Sequence, residues 1–278
     1  ALMTGVVSPG AAFIEWGWRI PFLLSVVLLF FGYWIRRTVE ESPVFKEIEE
    51  RKGASKTPIH DLFKNHAVLV LLAALVFAGN SACGYITTGG FIQNYATNPA
   101  GPLHLERTPV LISVTLASLC WLITTYISGS LSDRIGRKKT YIVGWIIQLC
   151  GVFTLFPLVN TGTITLFALG LCFLTSGIGL TYGVQSSFYS ELFSASIRFS
   201  GISISYALGA ILGGAFAPMI GTWLVSVTGS TFAVTIYLAL MTMIALISTL
   251  SLRDRTGIPL GPDHEEEQMK SPIMWHKY

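Results

Sequence analysis

Charged residues are scarce in this sequence, and long stretches contain none at all. Only 12% of its 278 residues are Asp, Glu, Lys or Arg, whereas 52% are hydrophobic and the mean hydropathy is +0.61. Average soluble domains carry about 25% charged residues, so a soluble protein of this size would lack much of the polar surface that it needs. The charges also fall in blocks between neutral runs, which argues against a soluble protein with an unusually apolar core.

Residues suited to catalysis or to metal binding are also sparse. The four cysteines (Cys83, Cys120, Cys150 and Cys172) all lie in apolar runs, and no two of them have the spacing of metal ligands. The five histidines are scattered over polar segments and the termini, with neither a nucleophile–base pair nor a metal cluster near the apolar runs. We therefore predict no enzyme activity, no metal and no cofactor, and we interpret the cysteines as small apolar packing residues.

Five segments contain no Asp, Glu, Lys or Arg: residues 20–35, 67–105, 108–132, 140–190 and 199–252. A helix needs about 20 apolar residues to cross the hydrocarbon core of a membrane. The two longest segments have room for two crossings each, because turn-forming residues interrupt them near 157–162 and 226–230. We predict an all-α integral membrane protein with seven transmembrane helices, near residues 18–35, 68–94, 109–130, 140–157, 163–188, 201–225 and 231–252.

The placement of Lys and Arg predicts which side of the membrane each loop faces. Alternation puts one set of loops on the same side, where they hold sixteen of the eighteen basic residues: 36–66, 133–139, 191–198 and 253–278. The remaining two, Arg19 and Arg107, lie on the other side. Basic residues stay on the cytoplasmic side, so we expect a multi-pass protein of the cell (inner) membrane with a cytoplasmic C-terminus. The net charge of +3 then reflects topology, and no nucleic-acid partner is expected.

The polar segments divide the chain into five parts. Residues 1–8 do not begin with Met and are too short to span a membrane, so we interpret them as the tail of a truncated transmembrane helix. The sequence is therefore expected to be a fragment. Residues 9–36 are predicted to form an outer loop and the first span, and 37–66 a cytoplasmic linker that includes a short surface helix. Residues 67–252 hold the other six helices, and 253–278 are predicted to be a mostly disordered cytoplasmic tail.

The predicted spans contain no charged side chain in their interior. Charges inside a membrane commonly mark proton or ion pathways. A residue that titrates during proton coupling is therefore expected outside these helices or at their ends.

Polar uncharged residues follow one helical face in two of the spans. In the fifth span Tyr182, Gln185 and Tyr189 recur at the spacing of a single face, and in the second span polar residues that include Asn80 and Asn94 recur every seven residues. A polar amide that faces lipid is costly, so these faces should point into the bundle. They either line a cavity for a polar substrate or form hydrogen bonds between helices. The candidates for substrate binding are Gln185, Tyr182, Asn80 and Asn94.

The sixth span carries a small residue at every fourth position: Gly201, Ser205, Gly209, Gly213, Ala217 and Gly221. This spacing lets helix backbones approach closely, and Pro218 favours a bend. We predict close helix packing along this stripe, which is also compatible with a contact that moves.

Two loops on the predicted cytoplasmic side carry patterned charges. The loop after the third span has Asp133 beside four cations, and its Gly136 permits a sharp turn. Asp133 can pair with Arg137 or with a neighbouring helix. The loop after the fifth span is bracketed by Glu191 and Arg198, whose simplest role is an ion pair at the membrane face.

The first loop resembles the G-x-x-x-D-R-x-G-R-K/R motif of the major facilitator superfamily, and the second resembles its E-L-F-x-x-x-x-R turn. Residues 16–22, 40–45 and 198–218 are further similar to the metabolite–proton symporter family. The resemblance implies that the seven spans match helices 6–12 of a twelve-helix fold, that residues 67–252 are its C-terminal six-helix half, and that the N-terminal half is missing. It also implies a cytoplasmic gate, a charged latch that favours one conformation, formed by Asp133, Arg134, Gly136, Arg137, Lys138, Glu191 and Arg198.

The function implied by this resemblance is proton-coupled symport of a small polar metabolite by alternating access. Its partners are the substrate, protons and membrane lipid, and the proton gradient replaces a cofactor as the driving force. Substrates of the family include α-ketoglutarate, citrate, shikimate, and proline or betaine, so an organic acid, a betaine or an amino-acid-like solute is expected. The neutral spans do not distinguish an anionic from a zwitterionic solute. The alternative is a truncated, transport-inactive remnant of such a transporter.

Overall fold

A computed structural model describes residues 11–38, 58–99, 101–270 and 272–274. Over these residues the chain is helical, apart from turns, irregular segments and one isolated bridge between Leu252 and Ile273. Among the described residues, seven helical segments are long and apolar enough to cross a membrane. They overlap all seven predicted spans, which confirms the all-α membrane fold class. The segments are Phe13–Thr38, Leu62–Thr97, Arg107–Ile135, Arg137–Val159, Ile164–Leu192, Arg198–Thr228 and Phe232–Ser251.

The chain divides into two compact units, Ala1–Gly53 and Ala54–Tyr278. In the first unit, helix α1 (Arg19–Thr38) follows a π-helical turn at Phe13–Gly17. No residue of α1 is buried. This is expected for a membrane-length apolar helix, because its side chains can face lipid. Its basic residues lie in the last turn, where Arg36 and Arg37 end the apolar run.

The second unit contains six membrane-length helical segments. The segment formed by α2 and α3 breaks at Gly89 and Gly90, and Gly90 has the left-handed φ of +98° that favours glycine. A π-helical stretch at Ala210–Ala215 joins α7 to α8. The helices are α2 (Pro58–Thr88), α3 (Phe91–Thr97), α4 (Arg107–Ile135), α5 (Arg137–Val159), α6 (Ile164–Leu192), α7 (Arg198–Gly209), α8 (Ala217–Thr228), α9 (Phe232–Ser251) and the short α10 (Glu265–Met269).

Two helices organise the bundle. Helix α6 packs against both α4 and α5, and α2 packs against α7, the π-helical stretch and α9, while α5 also contacts α9. The largest fully buried side chains include Trp145, Tyr141 and Phe188. Ring contacts join them, since Tyr141 stacks on Trp145 at 5.8 Å and meets Phe188 edge to face at 5.2 Å. These rings belong to one of two buried apolar clusters, and both clusters include residues of α2, α5, α6 and α9.

The stripe of small residues lies against α2 and α3, as predicted. All six stripe positions are buried. A Cβ added at Gly209 would lie 2.5 Å from the Ala74 carbonyl oxygen, and one at Gly221 would lie 2.9 Å from Ile86 Cδ1. The prediction of close packing is confirmed, because no larger side chain fits between these backbones. The helix is also interrupted at Phe216 (φ −102°, ψ −7°), two residues before Pro218.

The polar segments differ in part from their predictions. The segment 58–65, assigned to the linker, begins α2, which is kinked at His66 (φ −131°, ψ 19°). The C-terminal segment, expected to be mostly disordered, is folded over 253–270 and 272–274, because Arg255 and Gln268 bind backbone groups there. The predictions for residues 1–8 and for a surface helix near 40–56 lie outside the described residues.

Candidate functional site

A cleft of about 220 Å³ opens between α2, α4 and α6. It lies near the middle of the bundle, because its α4 residue, Trp121, is midway between Arg107 and Ile135. Two of the predicted substrate residues, Asn80 and Tyr182, line it. The other lining residues are Phe77, Ser81, Gly84, Tyr85, Thr88 and Trp121.

The hydrogen bonds of Asn80 fix the orientation of its amide. The Thr181 hydroxyl donates to the Ile178 carbonyl at 2.8 Å, so it can only accept from Asn80. The amide nitrogen of Asn80 therefore faces Thr181 at 3.0 Å, and its oxygen has no hydrogen-bond partner among the described residues. Asn80 is 2% exposed. The cleft thus includes a buried residue with an unused acceptor, and such groups are costly unless another group completes them.

The aromatic side of the cleft is built by α4 and α6. Trp121 and Tyr182 meet edge to face, with ring centroids 5.9 Å apart and an angle of 87° between their planes. Gly84 makes room for the indole, because a Cβ at Gly84 would lie 3.1 Å from Trp121 Cη2. Tyr182 remains 42% exposed and Tyr85 49% exposed. These rings are therefore accessible from the cleft.

The other two predicted substrate residues do not line this cleft. Gln185 is fully buried, and neither polar atom of its amide has a hydrogen-bond partner in the described part of the chain. Asn94 lies on α3, where it lines two separate clefts of about 310 and 320 Å³. One of these also contains Arg107. The four candidates consequently divide among three environments.

Three aromatic residues of the cleft, Phe77, Tyr85 and Trp121, were absent from the sequence prediction, which was based on the spacing of polar side chains. Trp121 carried a usable signal, since Trp is enriched at membrane interfaces whereas this one lies in the middle of a predicted span.

Gln148 was also missed by the sequence prediction, although it is fully buried. Its amide nitrogen lies 3.3 Å from both the Gly79 carbonyl and the Thr242 hydroxyl. Gln148 therefore links α5 to α2 and α9, which is a structural role.

A cluster of charges lies where α4 ends and α5 and α6 come together, which we call the basic end. Arg137 is its centre. Its Nε donates to Glu191 Oε1 at 3.2 Å, and Nη1 donates to Ser132 Oγ at 2.8 Å and to Asp133. Glu191 is 8% exposed, whereas the Asp133 side chain is 67% exposed. The pair formed with Glu191 is thus the buried one, and Asp133 provides a surface partner.

The turn between α4 and α5 consists of a single residue, Gly136. Its φ of +99° is in the range that favours glycine, so the sharp turn expected there is present. Immediately after it, the Arg137 backbone nitrogen donates to Thr256 Oγ1 at 3.1 Å, and Lys138 Nζ donates to the Leu250 carbonyl at 2.8 Å. Arg134 is exposed. The motif therefore contacts the end of α9 and the segment after it.

The ion pair expected between Glu191 and Arg198 is not present. Glu191 pairs with Arg137, and Arg198 instead donates to the carbonyls of Ser190 at 2.9 Å and Leu260 at 3.1 Å. Arg198 folds back onto the end of α6, where its Nε donates to backbone carbonyls of Ser190 and Phe193. Arg198 therefore supports backbone groups of this turn and of the C-terminal segment.

The C-terminal segment docks on the same end of the bundle through Arg255 and Gln268. Arg255 is 5% exposed and donates to the carbonyls of Leu192 at 3.4 Å, Glu267 at 3.0 Å and Lys270 at 3.0 Å. Burial lowers the pKa of its guanidinium from the ordinary value. Gln268 accepts from the Ala195 backbone nitrogen at 2.9 Å. These contacts join the segment to the turn between α6 and α7.

Replacing Arg255 by alanine should release this segment. Hydrogen bonds to a charged donor are worth about 1.5–3 kcal/mol each, and Arg255 makes several. We expect amide hydrogen exchange over residues 256–270 to become at least tenfold faster, as measured by mass spectrometry. The matched control is Arg253→Ala, since Arg253 is exposed and its side chain has no hydrogen bond to any described residue. Equal exchange in the two variants would show that Arg255 does not hold the segment.

Comparison with known proteins identifies a matching family and several relatives of this chain. The Major Facilitator Superfamily model matches residues 1–210. The chain is 34% identical over 249 residues to an inner membrane metabolite transport protein of Escherichia coli, covering 88% of this chain and 56% of that protein. It is 30% identical over 265 residues to the shikimate transporter of Escherichia coli (91% and 59%). It is 26% identical over 258 residues to the proline/betaine transporter of Salmonella typhimurium (89% and 50%).

The chain spans between 50% and 59% of the length of these three relatives. All three are named as transport proteins rather than as enzymes, which confirms the prediction that the chain is not an enzyme.

Proposed function

Since this chain belongs to the Major Facilitator Superfamily, we propose that it supplies one wall of the substrate pathway in a secondary transporter for a small polar metabolite. Transport proceeds by alternating access and is coupled to the proton gradient, without a cofactor. The substrate is an organic acid, a betaine or an amino-acid-like solute, in keeping with relatives named for shikimate and for proline and betaine.

The cleft between α2, α4 and α6 is the observation that carries this proposal. Substrate sites of secondary transporters lie near the middle of the membrane, between helical repeats, and this cleft lies midway along α4. It combines an amide with an unused acceptor, several hydroxyl groups and aromatic rings. Such a mixture of apolar and a few polar groups is typical of sites for small solutes.

The charge cluster at the basic end supports the alternating-access part of the proposal. Arg137 joins the end of α4, the start of α5 and the end of α6 through Asp133 and Glu191. A conformational change that separates these helix ends must break the contacts of Arg137. The cluster is therefore suited to favour one conformation, as a cytoplasmic gate does. The excess of Lys and Arg in these loops supports a cytoplasmic location for this end and for the C-terminus.

Proton coupling is a further part of this proposal. The described lining of the cleft contains no acidic side chain and no histidine, so these residues offer neither a carboxylate nor an imidazole to carry a proton. Coupling in this proposal uses a carboxylate at a helix end, such as Glu191, or a residue outside the seven spans. Collapse of the proton gradient with a protonophore should therefore reduce uptake at least fivefold.

Uptake measurements in cells that express the full-length protein test the proposal. We expect Asn80→Ala to lower kcat/KM at least tenfold, because it removes both the acceptor and the contact that orients α2 against α6. The matched control is Thr87→Val on the same helix, since the Thr87 hydroxyl donates only to carbonyls of α2 itself. Unchanged uptake in Asn80→Ala would remove the cleft from the substrate pathway. Absence of uptake for every organic acid, betaine and amino acid tested would contradict the transport function.

A further inference from the structure

The cleft contains no group that would neutralise an anion. Its described lining includes no Lys, Arg or His. A carboxylate moved out of water costs several kcal/mol unless it is paired and hydrogen-bonded. This wall offers no cation as such a partner. Arg107, at the start of α4 and fourteen residues before Trp121, lines a different cleft, on the side of α3.

Aromatic rings form the largest part of the wall. Phe77, Tyr85, Trp121 and Tyr182 come from three helices. The perpendicular arrangement of Trp121 and Tyr182, at 5.9 Å, presents ring surfaces in two directions. The face of an aromatic ring carries partial negative charge, and Trp attracts a cation most strongly. Several rings around one small space are the arrangement by which proteins recognise substituted ammonium groups.

The polar group of the wall has the same preference. Because Thr181 can only accept from Asn80, the amide oxygen is the atom left without a partner. An acceptor stabilises a positively charged or N–H-bearing group and repels a carboxylate. The rings and the amide oxygen therefore select for the same charge, although they come from different helices.

The size of the cleft fits a headgroup rather than a large solute. Pockets for drug-sized ligands have volumes of about 300–1,000 Å³, and this cleft has about 220 Å³. Gly84 contributes to that shape by admitting the Trp121 ring at 3.1 Å from a would-be Cβ. One compact group with its attached carbons would fill the space.

We propose that this wall receives the ammonium group of the substrate, so that the protein transports a solute with a substituted ammonium group and no net negative charge. The inference rests on the transport function proposed above and selects one class among its substrates. Trp121 provides the main ring surface, and Tyr182 and Tyr85 enclose the group. An acidic end of a zwitterionic solute points away from this wall.

The proposal is tested by measuring how the full-length protein takes up two probe solutes. Glycine betaine represents the ammonium class, and shikimate represents organic anions of similar size. We expect the unaltered protein to take up glycine betaine. Its KM for glycine betaine should rise at least tenfold in Trp121→Leu and about threefold in Trp121→Phe, which keeps a ring. The amount of each variant in the membrane is measured in parallel.

The outcomes separate this inference from the proposed function. Uptake of shikimate but not of glycine betaine, with kinetics unchanged in Trp121→Leu, would overturn the ammonium site and leave the transport function intact. If Trp121→Leu does not reach the membrane, Trp121→Phe decides, and an unchanged KM for glycine betaine in that variant counts against the proposal. Uptake of no solute at all would overturn both.

Discussion

Replacing Arg137 by alanine should destabilise the protein by about 3 kcal/mol and abolish transport. The cost is large because Glu191 is 8% exposed and Arg137 is its ion-pair partner at 3.2 Å. The second carboxylate oxygen of Glu191 is buried and has no hydrogen-bond partner among the described residues. Removing one member of a buried pair leaves an uncompensated charge, which costs about 3–5 kcal/mol. Thermal unfolding of the purified protein in detergent measures the loss.

Further variants separate the effect of an unpaired charge at Glu191 from the effect of losing the cluster itself. Arg137→Met combined with Glu191→Gln removes both charges and should regain most of the lost stability, since neutral groups of similar size replace a buried pair at little cost.

Asp133→Ala should leave stability nearly unchanged, because its side chain is 67% exposed and surface pairs contribute about 0–1 kcal/mol. We nevertheless expect Asp133→Ala to reduce uptake if the cluster acts as a gate. Normal uptake kinetics in that variant would exclude the gate role, and a normal unfolding temperature in Arg137→Ala would exclude a structural role for the pair.

The second large effect is expected from Gly183→Ala on α6. A Cβ at Gly183 would collide with the backbone carbonyl oxygen of Thr125 and would lie 2.8 Å from Ser128 Cβ. Backbone atoms cannot yield as a flexible side chain does, so α4 and α6 must move apart. Forced overpacking costs about 1–3 kcal/mol, and the loss extends to the cleft, because Trp121 and Tyr182 lie on these two helices. We expect a lower unfolding temperature and a raised KM.

Gly170→Ala on the same helix is the control. Its Cβ would lie 3.3 Å from Leu158 Cβ and 3.5 Å from the Leu155 carbonyl, so only small adjustments are required. Both substitutions exchange Gly for Ala within one helix and gain the same helix propensity. A difference between them therefore reports packing alone. Equal stability of the two variants would contradict the close approach of α4 and α6 at Gly183.

Some features of the tertiary packing could be predicted from the sequence, and others could not. The stripe from Gly201 to Gly221 was predictable because spacing of four places all its members on one helical face. The importance of Gly183 was not, because Gly170 on the same helix looks equivalent until the neighbouring backbone is known. The C-terminal segment was likewise predicted to be disordered from its polar composition. Its order depends on Arg255, whose acceptors are carbonyl groups 12 to 15 residues further on and the Leu192 carbonyl 63 residues earlier.

The sequence alone determined that this chain has seven segments long and apolar enough to cross a membrane, and its basic loops support one orientation. Those properties depend on the length of apolar runs and on the position of Lys and Arg, which act through each segment separately. Only the tertiary structure decided that Asn80 and Tyr182 share a cleft with Trp121, while Asn94 lines other clefts and Gln185 is buried. It also decided that Glu191 pairs with Arg137 rather than with Arg198. Such contacts depend on how each helix is rotated against its neighbours, and a periodic sequence pattern does not specify the neighbour.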